Sequence, residues 1–168
     1  MKKSRLVSYA VVGLCTLASS RSQAEGGTVD LVLSLNSKAY AVEMGDTTVT
    51  ARGGSGTATL RHSSGGPFLD GAGATVQFAS FSKKTISGLE LEADGVATFS
   101  ADDTLLLVER RSGDRAVGAS NEGTFELTSG TGRFVGVSGR CKYKIEEDSG
   151  DWNFSVANCE WIYTFPYR

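Results

Sequence analysis

The sequence predicts an antiparallel all-β domain, a barrel or a sandwich, behind a short N-terminal leader. Three observations carry this. Apolar residues recur with period two in short segments, and clusters of Gly, Ser, Asp and Asn separate those segments. No stretch of useful length repeats apolar residues at helical spacing. Short strands in succession, without crossover helices, pair antiparallel.

The leader comes first. In "MKKSRLVSYAVVGLCTLASSRSQA", Lys2, Lys3 and Arg5 precede an apolar run from Leu6 to about Ala18, and small residues follow at Ser22 and Ala24. This is the layout of a secretory signal peptide. The apolar run falls short of the roughly 20 residues that a membrane-spanning helix needs. Cys15 is preceded by Leu14 rather than a small residue, which argues against a lipoprotein cleavage site. The expectation is a signal peptide over 1–24 and one domain over 25–168, exported to the periplasm or secreted. Four of the 17 bases and none of the 19 acids lie in the leader, so 13 bases face 19 acids in the domain, a net charge of −6. An acidic surface without basic runs speaks against nucleic acid, whose binding rests on phosphate neutralisation.

The domain then reads strand by strand. "VDLVLSL" puts Val29, Leu31, Leu33 and Leu35 on one face, and "AYAVEM" does the same with Tyr40, Val42 and Met44. "GTATLRH", "ATVQFASF", "GLELEA" and "GVATFSA" follow at intervals of one strand plus one turn. "TLLLVERR" is different, because Leu105 to Val108 are apolar on both faces. Such a strand fits a subunit interface or a cover supplied by the N-terminal segment. "GTFELTS" leads into the last hairpin, "VSGRCKYKIEE", "DSGD" and "WNFSVANCEWIYTF". Its first strand alternates, with Val137, Cys141, Tyr143 and Ile145 on one face and Arg140, Lys142, Lys144 and Glu146 on the other. Nine or ten strands result.

Cysteine usage adds a covalent expectation. Without the leader, Cys141 and Cys159 remain, an even pair suited to an oxidising compartment. If the turn centres on Gly150, the two lie directly opposite in the hairpin. A non-hydrogen-bonded pair then brings their Cα atoms to about 4.5 Å, within disulfide reach. Two free buried thiols are the alternative. No metal is expected, since His62, in the loop-like "RHSSGG", has no second ligand at suitable spacing. No cofactor motif is present.

The glycines of "SGTGRFVGVSG" read as architecture. Gly130 and Gly132 permit a tight turn with positive φ, while Gly136 and Gly139 admit a sharp bend or a neighbouring ring. Phe134 tucks under that bend. The stretch is no phosphate loop, for it lacks the Lys-Ser/Thr pair and a following helix.

At these residues "EGTFELTSGTGRFVGVSGRCKY" resembles the glycine-rich signature of allene oxide cyclase barrel-like and dirigent-like proteins. "GVATFSADDTLLLVERRSGD" is similar to the preceding hairpin of exported bacterial members of that group. The resemblance spans about Gly95 to Tyr143 and departs from the pattern at Ser129, where a Gly is usual. It implies an eight-stranded antiparallel barrel with an apolar cavity, assembled as dimers or trimers, here through the Leu105–Val108 strand. Family cyclases use a cavity-lining carboxylate, and dirigents steer the coupling of radicals made elsewhere. No family active-site residue maps onto this chain.

Function stays open among three readings. The barrel binds a small apolar or aromatic molecule; or it is a cyclase or isomerase without metal; or it is filled with side chains and acts through its outer surface. Glu109 shares the phase of Leu105 and Leu107 and is the candidate acid or base, with a solvated inward residue at the barrel mouth as the alternative. Tyr40, Phe78, Tyr143 and Tyr163 are the candidate ligand contacts, with Val76 beside them. Phe125 and Phe134 are expected to close one end. Trp152 and Trp161 are read as packing residues and Glu160 as surface.

Overall fold

Eight strands follow one another in chain order: β1 (Glu25–Met44), β2 (Thr47–Arg61), β3 (Gly73–Lys84), β4 (Leu89–Thr98), β5 (Thr104–Gly113), β6 (Glu122–Gly130), β7 (Val137–Asp148) and β8 (Trp152–Tyr163). Each pairs antiparallel with the next, and β8 pairs with β1, so the sheet closes into a barrel. The structure, a computed structural model, describes residues 25–113 and 121–164. The expected signal peptide over 1–24 lies outside the described residues. No described helix is long and apolar enough to cross a membrane.

Closure of the barrel gives every strand an inside and an outside, and strand parity decides which residues enter the core. Val29, Leu31 and Leu33 of β1 are buried inward, as are Ala58 and Leu60 of β2, Ala74 and Val76 of β3, and Ala97 of β4. Leu105, Leu127, Val137, Cys141, Ala157, Cys159 and Trp161 complete the same layers. Each fully buried Leu or Val contributes about 1.5–3 kcal/mol of transfer free energy. Outward positions are polar, as in Lys142, Lys144 and Glu146 of β7, all exposed.

Eight strands stand where nine or ten short ones were expected, because "VDLVLSL" and "AYAVEM" are one continuous 20-residue strand and "GLELEA" and "GVATFSA" both belong to β4. Its pairing with β2 runs without a register shift from Asp30↔Arg61 to Met44↔Thr47. With no bulge to reset parity, Tyr40, Val42 and Met44 take the phase opposite to Val29–Leu35 and face outward. The strand "TLLLVE" divides likewise. Leu105 and Leu107 point in, whereas Leu106 lies outside and is 40% exposed.

One end of the barrel is filled. Phe68, from the β2–β3 loop, stacks on Phe134 at 5.4 Å and on Trp161 at 5.5 Å between ring centroids, and Phe99 meets Phe134 at 4.9 Å. Such tilted ring pairs are worth about 0.5–1.5 kcal/mol beyond burial. The Arg133 guanidinium caps Phe99 and Phe134 at 5.2 and 5.0 Å. Phe134 sits in a 3₁₀ turn, Gly132–Phe134, pinned where the Arg133 amide donates to Asp103 Oδ1 at 3.0 Å. The backbone regains a strand through Gly136 at φ 83°, a left-handed conformation open to glycine at little cost. In the turn before it, positive φ falls on Ser129 and Gly132 rather than on Gly130.

The final hairpin pairs the cysteines as expected, but its turn is not centred on Gly150. Asp148↔Asn153 and Glu147↔Phe154 lie one residue off that register, and a bulge between Ile145 and Glu147 restores it. Cys141 lies opposite Cys159, the two form a disulfide, and their Cα atoms are 4.0 Å apart. This staple joins adjacent strands just below the level at which the core gives way to open space.

Candidate functional site

Toward the other end, the inward side chains no longer meet. Inward positions pass from buried to half-buried along β2, β3, β4, β5 and β7, which leaves a cup closed by the aromatic plug and open at the mouth. Its volume is about 480 Å³, within the range of small-molecule sites. Leu33, Leu35, Val76, Phe78, Leu107 and Phe125 form apolar wall and floor.

A buried polar cluster interrupts this wall, and Thr50, Arg52, Ser80, Ser82, Asn153 and Ser155 add polar groups elsewhere on the lining. The Tyr143 hydroxyl donates to Glu109 Oε1 at 3.1 Å, and Arg111 Nε lies 3.8 Å from the same oxygen. Glu109 and Arg111 are only 12% and 18% exposed at their side chains. Parity explains the first meeting: Leu105, Leu107, Glu109 and Arg111 share the inward face of β5, and Tyr143 shares that of β7. The strand between them carries the enabling residue. Gly123 of β6 pairs with Tyr143, and a Cβ there would lie 2.5 Å from the tyrosine ring carbon and hydroxyl. A missing side chain thus lets the Tyr143 ring lie across β6 and reach Glu109. Sequence reading noted glycines in this stretch without finding this use for Gly123. The signal was there, a glycine opposite an inward tyrosine once the strands are aligned.

Electrostatics follow from this burial. Desolvation pushes the Glu109 carboxyl above its ordinary value, and the Arg111 cation and the Tyr143 hydroxyl bond pull it only partly back. Tyr143 is pushed well above a free phenol by burial and by the neighbouring carboxylate, so it remains a neutral donor. Arg111 Nη1 donates to the Glu122 carbonyl at 2.9 Å, which fixes the guanidinium, while its buried Nε has no hydrogen-bond partner. Arg52, inward on β2, lines the cup nearer the mouth. The Arg111 guanidinium therefore faces a carboxyl whose ionisation burial opposes. This lining can solvate a neutral or anionic oxygen and can hold a proton at Glu109. Among the described residues no three His, Cys, Asp or Glu side chains are grouped to hold a metal ion.

The candidate residues separate clearly. Phe78, Val76, Glu109 and Tyr143 line the cup together. Tyr40 does not, since it faces outward and is 75% exposed. Tyr163 is inward but sits at the closed end, opposite Val137 and packed on the core, away from the cup. Phe134 closes the end as expected, whereas Phe125 lies deeper along β6 and lines the cup, its ring 6.1 Å from that of Tyr143. Phe68 and Phe99 supply the rest of the plug. The basic pair Arg110-Arg111 reads in the sequence as the cap of a solvated strand end, but only Arg110 is exposed, while Arg111 takes the inward phase and lines the cup. Arg52 is a further lining residue that the sequence does not single out. Trp161 packs in the core, Trp152 Nε1 donates to Ser34 Oγ at 2.9 Å, and Glu160 is exposed.

A further surface pair involves the single histidine. His62 Nδ1 lies 2.8 Å from Asp30 Oδ2, and Asn158 donates to the other carboxylate oxygen at 2.7 Å. His62 is 81% exposed at its side chain, so this pair ties the β2 end to β1 and β8 at the surface. Comparison with known proteins adds no assignment: no family model matches the chain, and a search of curated proteins gives no match.

Proposed function

We propose that this protein binds a small, mainly apolar or aromatic molecule in the open half of the barrel. The apolar body lies against Leu33, Val76, Phe78 and Phe125, and one neutral or anionic oxygen meets Arg111. The observation that carries this reading is the cup itself, with an apolar stretch of wall beside the buried Glu109–Tyr143–Arg111 cluster. It also removes the support for a barrel filled with side chains throughout, since only the plugged half is filled. The leader pattern and the Cys141–Cys159 bond support export to an oxidising compartment. The segment Gly95–Tyr143 supports an allene oxide cyclase barrel-like or dirigent-like type. The test is native mass spectrometry of the protein purified from its expressing cells, then mixed with a panel of phenols and alicyclic ketones. Saturable one-to-one adducts that disappear in Ser80→Trp, which fills the cup from its wall, are expected. Adducts unaffected by that substitution, or none, contradict the reading.

A second reading, a metal-independent cyclase or isomerase, rests on Glu109. A carboxyl with a raised pKa in an apolar pocket, hydrogen-bonded to a neutral tyrosine, suits acid–base chemistry on a bound carbonyl compound. Glu109 takes the proton from carbon as the electron pair moves onto oxygen, and Tyr143 and Arg111 stabilise the enolate. Solvent deuterium then enters an enolisable ketone at a rate that Glu109→Gln abolishes. Equal exchange in both proteins removes this reading and leaves the binding reading intact.

A further inference from the structure

The barrel closes fully only over part of β1. Pairing with β8 ends at Asn36↔Trp152, whereas pairing with β2 continues to Met44↔Thr47. The segment 38–44 is therefore an edge strand beside the mouth. The Ser37 amide donates to the Asp151 carbonyl at 2.7 Å, so odd-numbered backbone groups of β1 point toward the β8 side. Ala39, Ala41 and Glu43 continue this alternation with no strand among the described residues to receive them. Edges are usually protected by proline, by bulges or by charges along the strand. Here "AYAV" runs unprotected between Lys38 and Glu43.

The outer face of the same segment is apolar. Tyr40, Val42 and Met44 are 75%, 59% and 57% exposed, and Phe81 is 49% exposed. Tyr40 and Phe81 lie in one row across three strands, joined through Ala51.

We propose that this edge pairs with the same edge of a second copy, antiparallel, with the two-fold axis at Ala41. The occupant and the register both follow from self-complementarity. In an antiparallel pair, hydrogen-bonded partners must both present their backbone groups to the other strand. A two-fold at Ala41 sets Ala41 against Ala41 and Ala39 against Glu43, so all three free residues find free partners. Shifting the axis to residue 40 or 42 leaves one of them unmatched. The same register sets Tyr40 opposite Val42, a favourable aromatic and β-branched cross-strand pair, and lays the Lys38 stem over Met44. The interface is isologous and closes as a dimer. The alternative face on β5, where Leu106 neighbours Val96, has no free backbone groups, because β5 is paired on both sides.

Sedimentation equilibrium of the full chain tests this, with Ala41→Pro as the variant. Residue 41 points its N–H away from β2, so proline is tolerated there by the barrel and blocks the pairing. A dimer that becomes monomeric in Ala41→Pro, with an unchanged circular dichroism spectrum, is expected. A monomer at high micromolar concentration, or a dimer that survives in folded Ala41→Pro, overturns the proposal. Should that variant misfold, Ala41→Cys decides: opposite Cα atoms at a two-fold lie about 5.5 Å apart, within disulfide reach. Peptide mapping after mild oxidation then finds a disulfide between the two introduced thiols, and its absence counts against the register.

Discussion

Glu109 has the least ordinary environment of any acid in the barrel, and its ionisation is where residue chemistry becomes measurable. Folding raises its pKa, so the folded state holds the proton more tightly than the unfolded chain does. The associated stability is complete below the ordinary value of 4.5 and is lost as pH rises through the raised folded value. Urea unfolding from about pH 4 to about pH 8 should show this decline, and Glu109→Gln should flatten it. A slope that Glu109→Gln leaves unchanged would assign the decline to other groups. Tyr143→Phe removes the donor that favours the carboxylate and should raise the Glu109 pKa further, as read by carboxyl carbon chemical shifts. Gly123 is tested by adding one methyl. Gly123→Ala places a Cβ against the Tyr143 ring, separates the hydroxyl from Glu109, and should destabilise the protein by about 1–3 kcal/mol through overpacking. It should also move the Glu109 titration in the same direction as Tyr143→Phe.

Elements show where the sequence was legible and where it was not. Strand identity was readable wherever one face is buried and the other solvated, as in β7, because period-two alternation is written by the solvent boundary. The Cys141–Cys159 pairing was readable too, but its assumed cause was not the right one. The turn sets a register one residue off Gly150 symmetry, and the bulge between Ile145 and Glu147, which alternation does not reveal, brings the cysteines opposite each other. The phase of Tyr40 was not readable. Two apolar alternations in opposite phase look like two strands, and only the uninterrupted pairing with β2 shows that they are one. Glu109 and Tyr143 were each placed on an inward phase, but their contact depends on Gly123 in the strand between, a relation three strands wide. The last hairpin also predicts a stability change. Replacing Cys141 and Cys159 by Ser should cost on the order of 2–5 kcal/mol, read from denaturant midpoints of the folded variants. A loss near zero would mean that the hairpin is held by its ladder alone. Phe134→Ala should cost about 3–5 kcal/mol by opening a cavity in the plug, and should leave the mouth side chains in place.

At the scale of the whole molecule, the barrel is filled at one end and hollow at the other. The aromatic plug of Phe68, Phe99, Phe134 and Trp161 and the Cys141–Cys159 staple stabilise the filled half. The rigid half supports a cup whose polar cluster is set by β5, β6 and β7. On the proposed function, affinity rests on desolvation of the cup and on an oriented oxygen contact. The most direct measurement is a fluorescence titration with 1-anilinonaphthalene-8-sulfonate, whose fused rings suit the apolar wall and whose anion suits Arg111 and Arg52. Saturable enhancement at one probe per chain is expected, abolished by Ser80→Trp and weakened about tenfold by Arg111→Met, the worth of one charge-assisted hydrogen bond. Enhancement that fails to saturate, or that is equal in Ser80→Trp, would contradict a ligand site inside the barrel.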